Sequence, residues 1–386
     1  MSVEIIESRK EFEQSLPREI ERKYLPVFPE ALDDLRAEAL PIEQYYLSHP
    51  SEPFSLRMRE VCNPDGSVDY TATLKDRGTL TQDGLDRLEV TAPVSRELYE
   101  FYRDASVPVL RKLRAEPEPG VVVDFYDNGS THVESEDGIS WQRFVMKYGD
   151  AFVDITGDHL VDNEWHAHLN FRRANNGHEA HAPLPDLRVD DIIRDIYQSG
   201  GNLSRCVVHI GGRSGSGKST IVHELRERLA EFGLSTVVTS TDDYHRGTKW
   251  LVDYNGGETW THWDDQVVYD TATMATELAK LRAGQSIDKR EIDWQIAEPI
   301  VTGTTKPADV IIVEGIYATS PDITAEQDLQ YIMPTPLATC IGRRLLRDLR
   351  ERPQFADPVV SLGYMLREAE PAYRAQSCDK AQGENQ

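Results

Sequence analysis

The sequence predicts two domains of different class: an α+β half built of antiparallel strands, then an α/β half built on a parallel sheet. Three observations predict it. Up to about residue 175 the chain runs in short strand-like segments whose residues alternate polar and apolar, broken by turns. Beyond about residue 200, apolar strands alternate with longer amphipathic stretches. A glycine-rich loop stands where one such strand passes into one such helix.

The 386 residues exceed what one compact core holds and suggest two or three domains. With 66 Asp and Glu against 42 Lys and Arg, the net charge is −24. That argues against a long nucleic acid as partner, because affinity for a phosphate backbone comes from surplus cations. Small phosphorylated ligands need only a local basic pocket and stay open. No apolar run approaches the roughly 20 residues of a membrane span, and the start MSVEIIESRKEFE has no apolar stretch of secretory length. Cys62, Cys206, Cys340 and Cys378 stand far apart, as reduced thiols do. The expectation is a soluble, cytoplasmic, multidomain protein.

In the first half, FSLRMREV, YTATLKD, DRLEVTA, GVVVDFYDNG, DAFVDI and EWHAHLNF read as strands. A period of two puts Glu19, Glu21 and Lys23 on one face. Arg57 shares a face with Arg59, Lys75 with Thr73 and Arg77, Arg87 with Glu89, Lys112 with Arg114, and Glu134 with Glu136. The opposite faces carry Ile20, Leu56, Met58, Leu74, Leu88, Val90 and Leu113. Two architectures give this alternation: a half-buried sheet with its charges in water, or a closed barrel with a polar lumen. In such a lumen Arg and Lys would bind several phosphates, and carboxylates would hold a divalent metal against them.

The motif EIERK, followed by RMR, TLK, RLE, RKLR and an Asp-bearing strand, resembles the CYTH, or triphosphate tunnel metalloenzyme, family over residues 15–137. The resemblance implies a tunnel barrel within residues 1–175. It also implies Glu19 and Glu21 as ligands of Mg²⁺ or Mn²⁺, with Glu89, Glu134 and Glu136 as further carboxylates. Lys23, Arg57, Arg59, Lys75, Arg87 and Arg114 become the phosphate binders of a polyphosphate, triphosphate or pyrophosphate. Thr91 stands where the family usually has a second glutamate, two residues past Glu89. His159, His166, His168, His178 and His181 crowd the end of this half, but no cysteine or fixed spacing supports zinc. His166 and His168 read as the wet face of a strand.

NNGHEAHAPLPD reads as a linker, and residues 176–202 as linker plus helix, with Leu187, Ile192, Ile193 and Ile196 near helical spacing and Gly200 as its stop. Residues 205–220, RCVVHIGGRSGSGKST, then hold the phosphate-loop pattern Gly212-x4-Gly217-Lys218-Ser219 between a buried strand and the helix STIVHELRERLAEFG. Its glycines let backbone N–H groups curl round phosphates seated on a helix N-terminus. The ATP-binding residues are thus Gly212, Arg213, Ser214, Gly215, Ser216, Gly217, Lys218, Ser219 and Thr220. Lys218 reaches the β and γ phosphates, and the Ser219 hydroxyl joins Mg²⁺. Ligands in open parallel sheets lie at the carboxyl ends of strands. LSTVVTSTDDYHRG therefore presents Asp242, Tyr244 and His245, and ADVIIVEGIYA presents Glu314. CIGRRLLRDLRER places Arg343, Arg347 and Arg350 on one helix face; they either close over phosphoryl groups or sit solvated beside Asp348 and Glu351.

IGGRSGSGKST, TDDYHR, HWDDQVVYD, IIVEGIYA and RRLLRDLRER occur in the order seen in uridine kinases and phosphoribulokinases, over residues 203–355. The resemblance implies Asp242 as the catalytic carboxylate, Glu314 as a second one, and Asp264 and Asp270 on the acceptor side with Tyr244 and His245. Arg343, Arg344 and Arg347 would form a lid. Ile292 to Glu298 lacks the Arg with which uridine kinases hold the nucleoside, which leaves the identity of the hydroxyl acceptor open. Pairing of the same two modules, in reverse order, is known in plant proteins and implies polyphosphate or pyrophosphate chemistry in the tunnel. Trp250, Trp260, Trp263 and Trp294 suit either base stacking or core packing. A break at Arg352-Pro353 and a helix with a polar tail over residues 356–386 complete the chain.

Overall fold

The computed structural model describes residues 16–199, 205–351 and 357–383. Three features expected from the sequence lie outside them: Gly200 as a helix stop, the Arg352-Pro353 break and the extreme tail. The chain divides into two compact units. One takes residues up to Ala182 together with Leu337–Gly363, the other Pro183–Pro336 and residues from Tyr364 on.

The first unit is a closed antiparallel barrel. Its strands are β1 (Arg18–Pro26), β2 (Leu40–Tyr46), β3 (Phe54–Cys62), β4 (Val68–Asp76), the short β5 (Thr79–Leu80), β6 (Leu85–Pro93), β7 (Val109–Glu118), β8 (Val121–Tyr126), β9 (Thr131–Ser135) and β10 (Phe152–Asp154). Eight of them close the ring in the order β1-β9-β8-β7-β2-β3-β4-β6, with β6 returning to β1; β10 and β5 are additions at the rim. β1 closes the ring by dividing its length, pairing Arg18–Glu21 with β6 and Arg22–Tyr24 with β9. Closure removes sheet edges and turns inward the faces that carry Glu19, Glu21 and Lys23 on β1, Arg57 and Arg59 on β3, Lys75 on β4, Arg87 on β6, Arg114 on β7 and Glu134 on β9. The outer faces are packed: Leu56, Met58, Leu74, Leu88 and Val90 are all buried. Ile20, also on the outer face, instead stays 43 % exposed.

Helices α1 (Arg96–Tyr102) and α2 (Gly138–Tyr148) start at side-chain caps, Ser95 and Asp137. Trp141 of α2 stacks on Tyr24 at 3.9 Å between ring centroids. The segment EWHAHLNF, expected as a strand, is the helix α3 (Asn163–Ala174). Its buried residues are Glu164, Ala167 and His168, at helical spacing. Glu164 hid the pattern, because a carboxylate does not read as a core residue; here the Ser48 hydroxyl and Arg77 satisfy it. His166 and His168 are therefore not the wet face of a strand, and His168 Nε2 lies 2.8 Å from the Ser48 carbonyl oxygen. The helix Leu337–Glu351 packs on β3 and β4. Gly342 lets it approach, since a Cβ there would stand 2.5 Å from the Phe54 ring.

The second unit is a three-layer α/β fold. Helix α4 (Val189–Gln198) buries Val189, Ile192, Ile193 and Ile196. β11 (Cys206–Gly211), β12 (Thr236–Ser240), β15 (Val310–Gly315) and β16 (Leu329–Ile332) form a parallel sheet in the order β12-β15-β11-β16, while β13 (Ile287–Asp293) and β14 (Glu298–Thr305) make a separate hairpin. Helix α5 (Lys218–Glu231) follows β11 and ends at Gly233, whose φ of +74° lets Leu234 N–H reach back to the Leu229 carbonyl. Helices α6 (Thr248–Tyr254) and α7 (Thr271–Arg282) complete the unit. At its C-terminal end, the π-turn Met365–Ala369 runs into a helix from Glu370 to Gly383.

Candidate functional site

In the barrel, the inward faces line a cavity of about 550 Å³. Lys23, Arg57, Arg59, Lys75, Arg87 and Arg114 all line it, with Glu19, Glu21, Glu134 and Glu136. Most of these charges pair across strands. Lys75 Nζ stands 2.6 Å from Glu19 and 2.7 Å from Glu89. Arg87 joins Glu19 at 2.9 Å and Glu21 at 2.5 Å, Lys23 joins Glu134 at 3.1 Å, and Arg114 bridges Glu134 and the fully buried Asp124. The exceptions are Arg57 and Arg59 on β3. Arg57 is 4.0 Å from Glu89 and its buried Nε has no partner. Among the described residues Arg59 has no carboxylate at ion-pair distance, and its Nε donates to Gln44 at 3.3 Å. Burial, then Arg57 and Arg114 beside it, pulls Arg59 down to about 9. Two guanidiniums held together, with Glu89 no closer than 4.0 Å to Arg57, form a seat for an anion.

The carboxylates differ among themselves. Burial opposes the charge on Glu19, but Lys75 and Arg87 outweigh it and hold the carboxyl at about 2. Burial and the nearby Glu134 raise Glu21. Burial, then Glu19 and Glu89, raises Glu136, which lies just past the end of β9. Among the described residues no three acids, histidines or cysteines form a ready cage for an ion. Glu19 and Glu89 are nevertheless within hydrogen-bonding reach of each other. An oxygen pair of this kind fits Mg²⁺, which keeps much of its water and takes one or two carboxylates together with substrate phosphates. The sequence reading missed a further part of the wall. His159, Asp162, Asn163, Glu164 and Trp165 also line the cavity, and the signal that would have found them is the helical spacing of Glu164, Ala167 and His168.

In the second unit, the phosphate loop leaves β11 at Gly211 and enters α5 at Lys218. Gly212, Gly215 and Gly217 have φ of +149°, +82° and +93°, which side chains rarely adopt. Lys218 Nζ donates to the Gly212 and Arg213 carbonyls at 3.0 Å each, folding the side chain over the loop. The Ser216 hydroxyl is buried without a partner, while Ser219 and Thr220 at the start of the helix are exposed. Glu314 lies in register with Ile210 of β11 on one side and Ser240 of β12 on the other. Burial raises its carboxyl, Lys218 lowers it and Asp242 raises it again, so these three groups feel one another. Asp242 follows Ser240 by two residues in a capped turn; the cap's second carboxylate, Asp243, is pushed up to about 6 by burial. Gly315 permits this crowding: at φ +143° it runs against Thr241, whose side chain a Cβ would strike. Lys218 and the two carboxylates are thus gathered at adjacent strand ends. The donor set here, hydroxyl and carboxylate oxygen beside a helix N-terminus, fits a Mg²⁺-bound phosphate chain.

The residues expected on the acceptor side are spread more widely. His245 is buried, its Nδ1 accepting from Gly247 N–H at 2.9 Å, with Trp294 at 5.9 Å and Trp263 at 6.1 Å between ring centroids. Burial lowers its imidazole to about 4, so the ring is neutral at pH 7. Tyr244 belongs to the core, and its hydroxyl donates to Glu277 at 2.8 Å. Asp270 caps α7 and lies 3.4 Å from Arg246. Asp264 is buried and accepts from the Tyr364 hydroxyl at 2.7 Å. Arg344 and Arg347 both turn to Asp348 on their own helix, at 3.4 and 2.7 Å. Arg213 was expected only as part of the loop. It also makes a two-pronged ion pair with Glu370, a partner 157 residues away that no local pattern announces.

Comparison with known proteins bears mainly on the C-terminal half of the chain. The family described as Phosphoribulokinase / Uridine kinase matches residues 207–375. A uridine kinase of Staphylococcus aureus is 31% identical over 157 residues, which is 40% of this chain and 74% of that one. Among solved structures, a possible uridine kinase from Bacillus stearothermophilus is 19% identical with a TM-score of 0.36, covering 50% of this chain and 93% of that chain. An inorganic triphosphatase is 23% identical with a TM-score of 0.25, covering 39% of this chain and 93% of that chain. The stretch aligned with uridine kinase is the one that carries the phosphate loop and both carboxylate-bearing strand ends, and on that ground the chain belongs to the phosphoribulokinase / uridine kinase family.

Proposed function

We propose that the α/β unit is an ATP-dependent kinase acting on a small hydroxyl-bearing acceptor, and that the barrel binds a polyphosphate chain. One observation carries the kinase reading: Lys218, Asp242 and Glu314 interact electrostatically at the ends of three neighbouring parallel segments, where the phosphate loop begins its helix. The loop N–H groups and Lys218 orient the phosphates of ATP, and Ser219 is the residue that would hold Mg²⁺, which neutralises charge on the phosphate oxygens. Asp242 takes the proton of the acceptor hydroxyl as the γ-phosphoryl group transfers, leaving ADP. Glu314, half-buried beside Lys218, supports the electrostatics of that step. His245 and the tryptophans near it are assigned to the acceptor.

The test is ADP release in the presence of a panel of nucleosides and other small hydroxyl compounds. Lys218→Ala and Asp242→Asn should each lower the rate at least about 100-fold. An unchanged rate in Lys218→Ala sinks this reading.

The Arg57–Arg59 pair favours a second reading, in which the barrel itself is a metal-dependent triphosphatase resembling the CYTH enzymes. Phosphate release from tripolyphosphate or pyrophosphate should then fall in the Glu19→Gln, Glu21→Gln double variant and persist in Lys218→Ala. Arg59→Ala should weaken tripolyphosphate binding about 10-fold or more, measured calorimetrically. Binding unaffected by Arg59→Ala would remove the barrel's assigned role.

A further inference from the structure

The segment Tyr364–Arg374 touches both sides of the kinase site. On its first turn the Tyr364 hydroxyl donates to Asp264 Oδ2 at 2.7 Å, and Glu368 Oε2 lies 2.8 Å from His262 Nδ1. Beyond the π-turn Met365–Ala369, Glu370 accepts from Arg213 Nε at 2.8 Å and from Arg213 Nη2 at 3.0 Å. Arg374 adds a bond to Glu370 at 2.8 Å, and the Arg213 guanidinium lies over the Tyr373 ring at 4.6 Å. One helical segment thus holds the acceptor-side stretch 262–264 with its first residues and the phosphate loop with its last. The π-turn makes this possible: an extra residue in the turn rotates the face that follows relative to the face that precedes, so that Tyr364 and Glu370 meet different targets.

We infer that Tyr364 and Glu370 are positioning residues of the kinase site, through which the phosphate loop and the acceptor-side segment move as one. The inference rests on the kinase reading above. Glu370 is 4 % exposed and relies on two guanidiniums; if Arg213 shifts when phosphates enter the loop, the carboxylate must follow it or be left buried and half-paired. A shift of Glu370 is passed along a hydrogen-bonded helix to Tyr364 and so to Asp264, whose chain neighbour Trp263 packs against the cluster of Leu251, Trp260, Val268, Tyr269 and Tyr317. Neither residue touches the reacting atoms; each acts by fixing a residue that does or that borders one.

Tryptophan fluorescence of the full chain titrated with Mg·ADP reads this coupling without an acceptor. The wild-type chain should show a change in emission on binding, and Trp263→Phe should remove at least half of it. Tyr364→Phe loses one hydroxyl and no packing; it should keep the ADP dissociation constant within about two-fold yet lose most of that change. Glu370→Gln should weaken ADP binding several-fold and lose the change as well. A Tyr364→Phe chain with the full wild-type signal overturns the inference, as does a wild-type chain that binds ADP silently. Lys218→Ala separates the two levels: if it binds Mg·ADP as tightly as wild type, the kinase reading itself fails, and if it does not, the outcome with Tyr364→Phe judges the coupling alone.

Discussion

His132 and His168 of the barrel unit are both buried, and burial, reinforced by Lys23 in the first case, pulls both imidazoles down to about 4. In the unfolded chain they titrate near 6.5. Between these values the unfolded chain binds protons that the folded chain refuses, so their stabilising effect is complete above about pH 6.5 and is lost as the pH falls toward 4. His49, His181 and Arg77 act on His168 in the same direction as burial, and its contact with the Ser48 carbonyl opposes them. His168→Gln, which keeps a donor for that carbonyl, should flatten the fall of the thermal midpoint between pH 7 and pH 4.5. A variant that falls as steeply as wild type would contradict the assignment. At this scale the sequence was most legible where spacing alone fixes geometry: Gly212 to Ser219 had to be a phosphate loop, and Glu19, Glu21 and Lys23 had to share a face. It was least legible where a residue's meaning lies in a distant partner. Arg213 looked like one more loop residue, Tyr364 had no visible connection to Asp264, and the stretch TDDYHR around Tyr244 gave no sign that its phenol would turn into the core.

Among the elements, two glycines set how closely segments approach. Gly342 brings the helix Leu337–Glu351 onto Phe54, and Gly342→Leu should destabilise the barrel unit by about 1–3 kcal/mol through overpacking. Denaturant unfolding of Gly342→Leu with and without Phe54→Ala checks the cause, because shrinking the ring should recover part of the loss. Gly315 combines a φ of +143° with contact to Thr241, so Gly315→Ala should cost about 2–4 kcal/mol and displace Glu314 from its place beside Asp242. ADP release should fall with it, and removing the Thr241 methyl and hydroxyl by Thr241→Ala should not restore it, since the backbone strain remains. Strands such as β3, β4, β6, β11, β12 and β15 were legible because period two and continuous apolar runs both report burial directly, whereas β2, β16 and the hairpin β13–β14 were not singled out. α3 was not. Its buried Glu164 and His168 satisfy their polar atoms on Ser48 and Arg77, and a rule that equates burial with apolar side chains passes over such a helix.

For the whole molecule, the −24 net charge coexists with a barrel lumen and a phosphate loop that concentrate Lys and Arg. Excess acid at the surface repels a long polyanion, while cations gathered in a pocket offer a short one local positive charge. Each unit should respond to its own ligand. Mg²⁺ with tripolyphosphate should raise the stability of the barrel, and Mg·ADP that of the α/β unit, each by about 2.7 kcal/mol at 100 times its dissociation constant. Scanning calorimetry with one ligand at a time checks this, and Arg59→Ala should abolish only the first shift. Among the described residues no helix is long and apolar enough to cross a membrane. The stretch RRLLRDLRER is one of the motifs shared with the kinase family, yet its helix is grouped with the barrel; an amphipathic face declares that it will be covered but not by what. The chain accordingly passes from one unit to the other after Ala182, after Pro336 and after Gly363. Neither unit is therefore a contiguous stretch of gene. A fragment stopping at residue 182 would lose the helix that covers Phe54 and the Thr339 hydroxyl that bonds Glu52, and a synthetic peptide of residues 337–363 added in trans should restore part of its stability. Such an arrangement resists recombination: a crossover that swaps one unit for another also removes a piece of the unit it keeps, which ties the two together in inheritance.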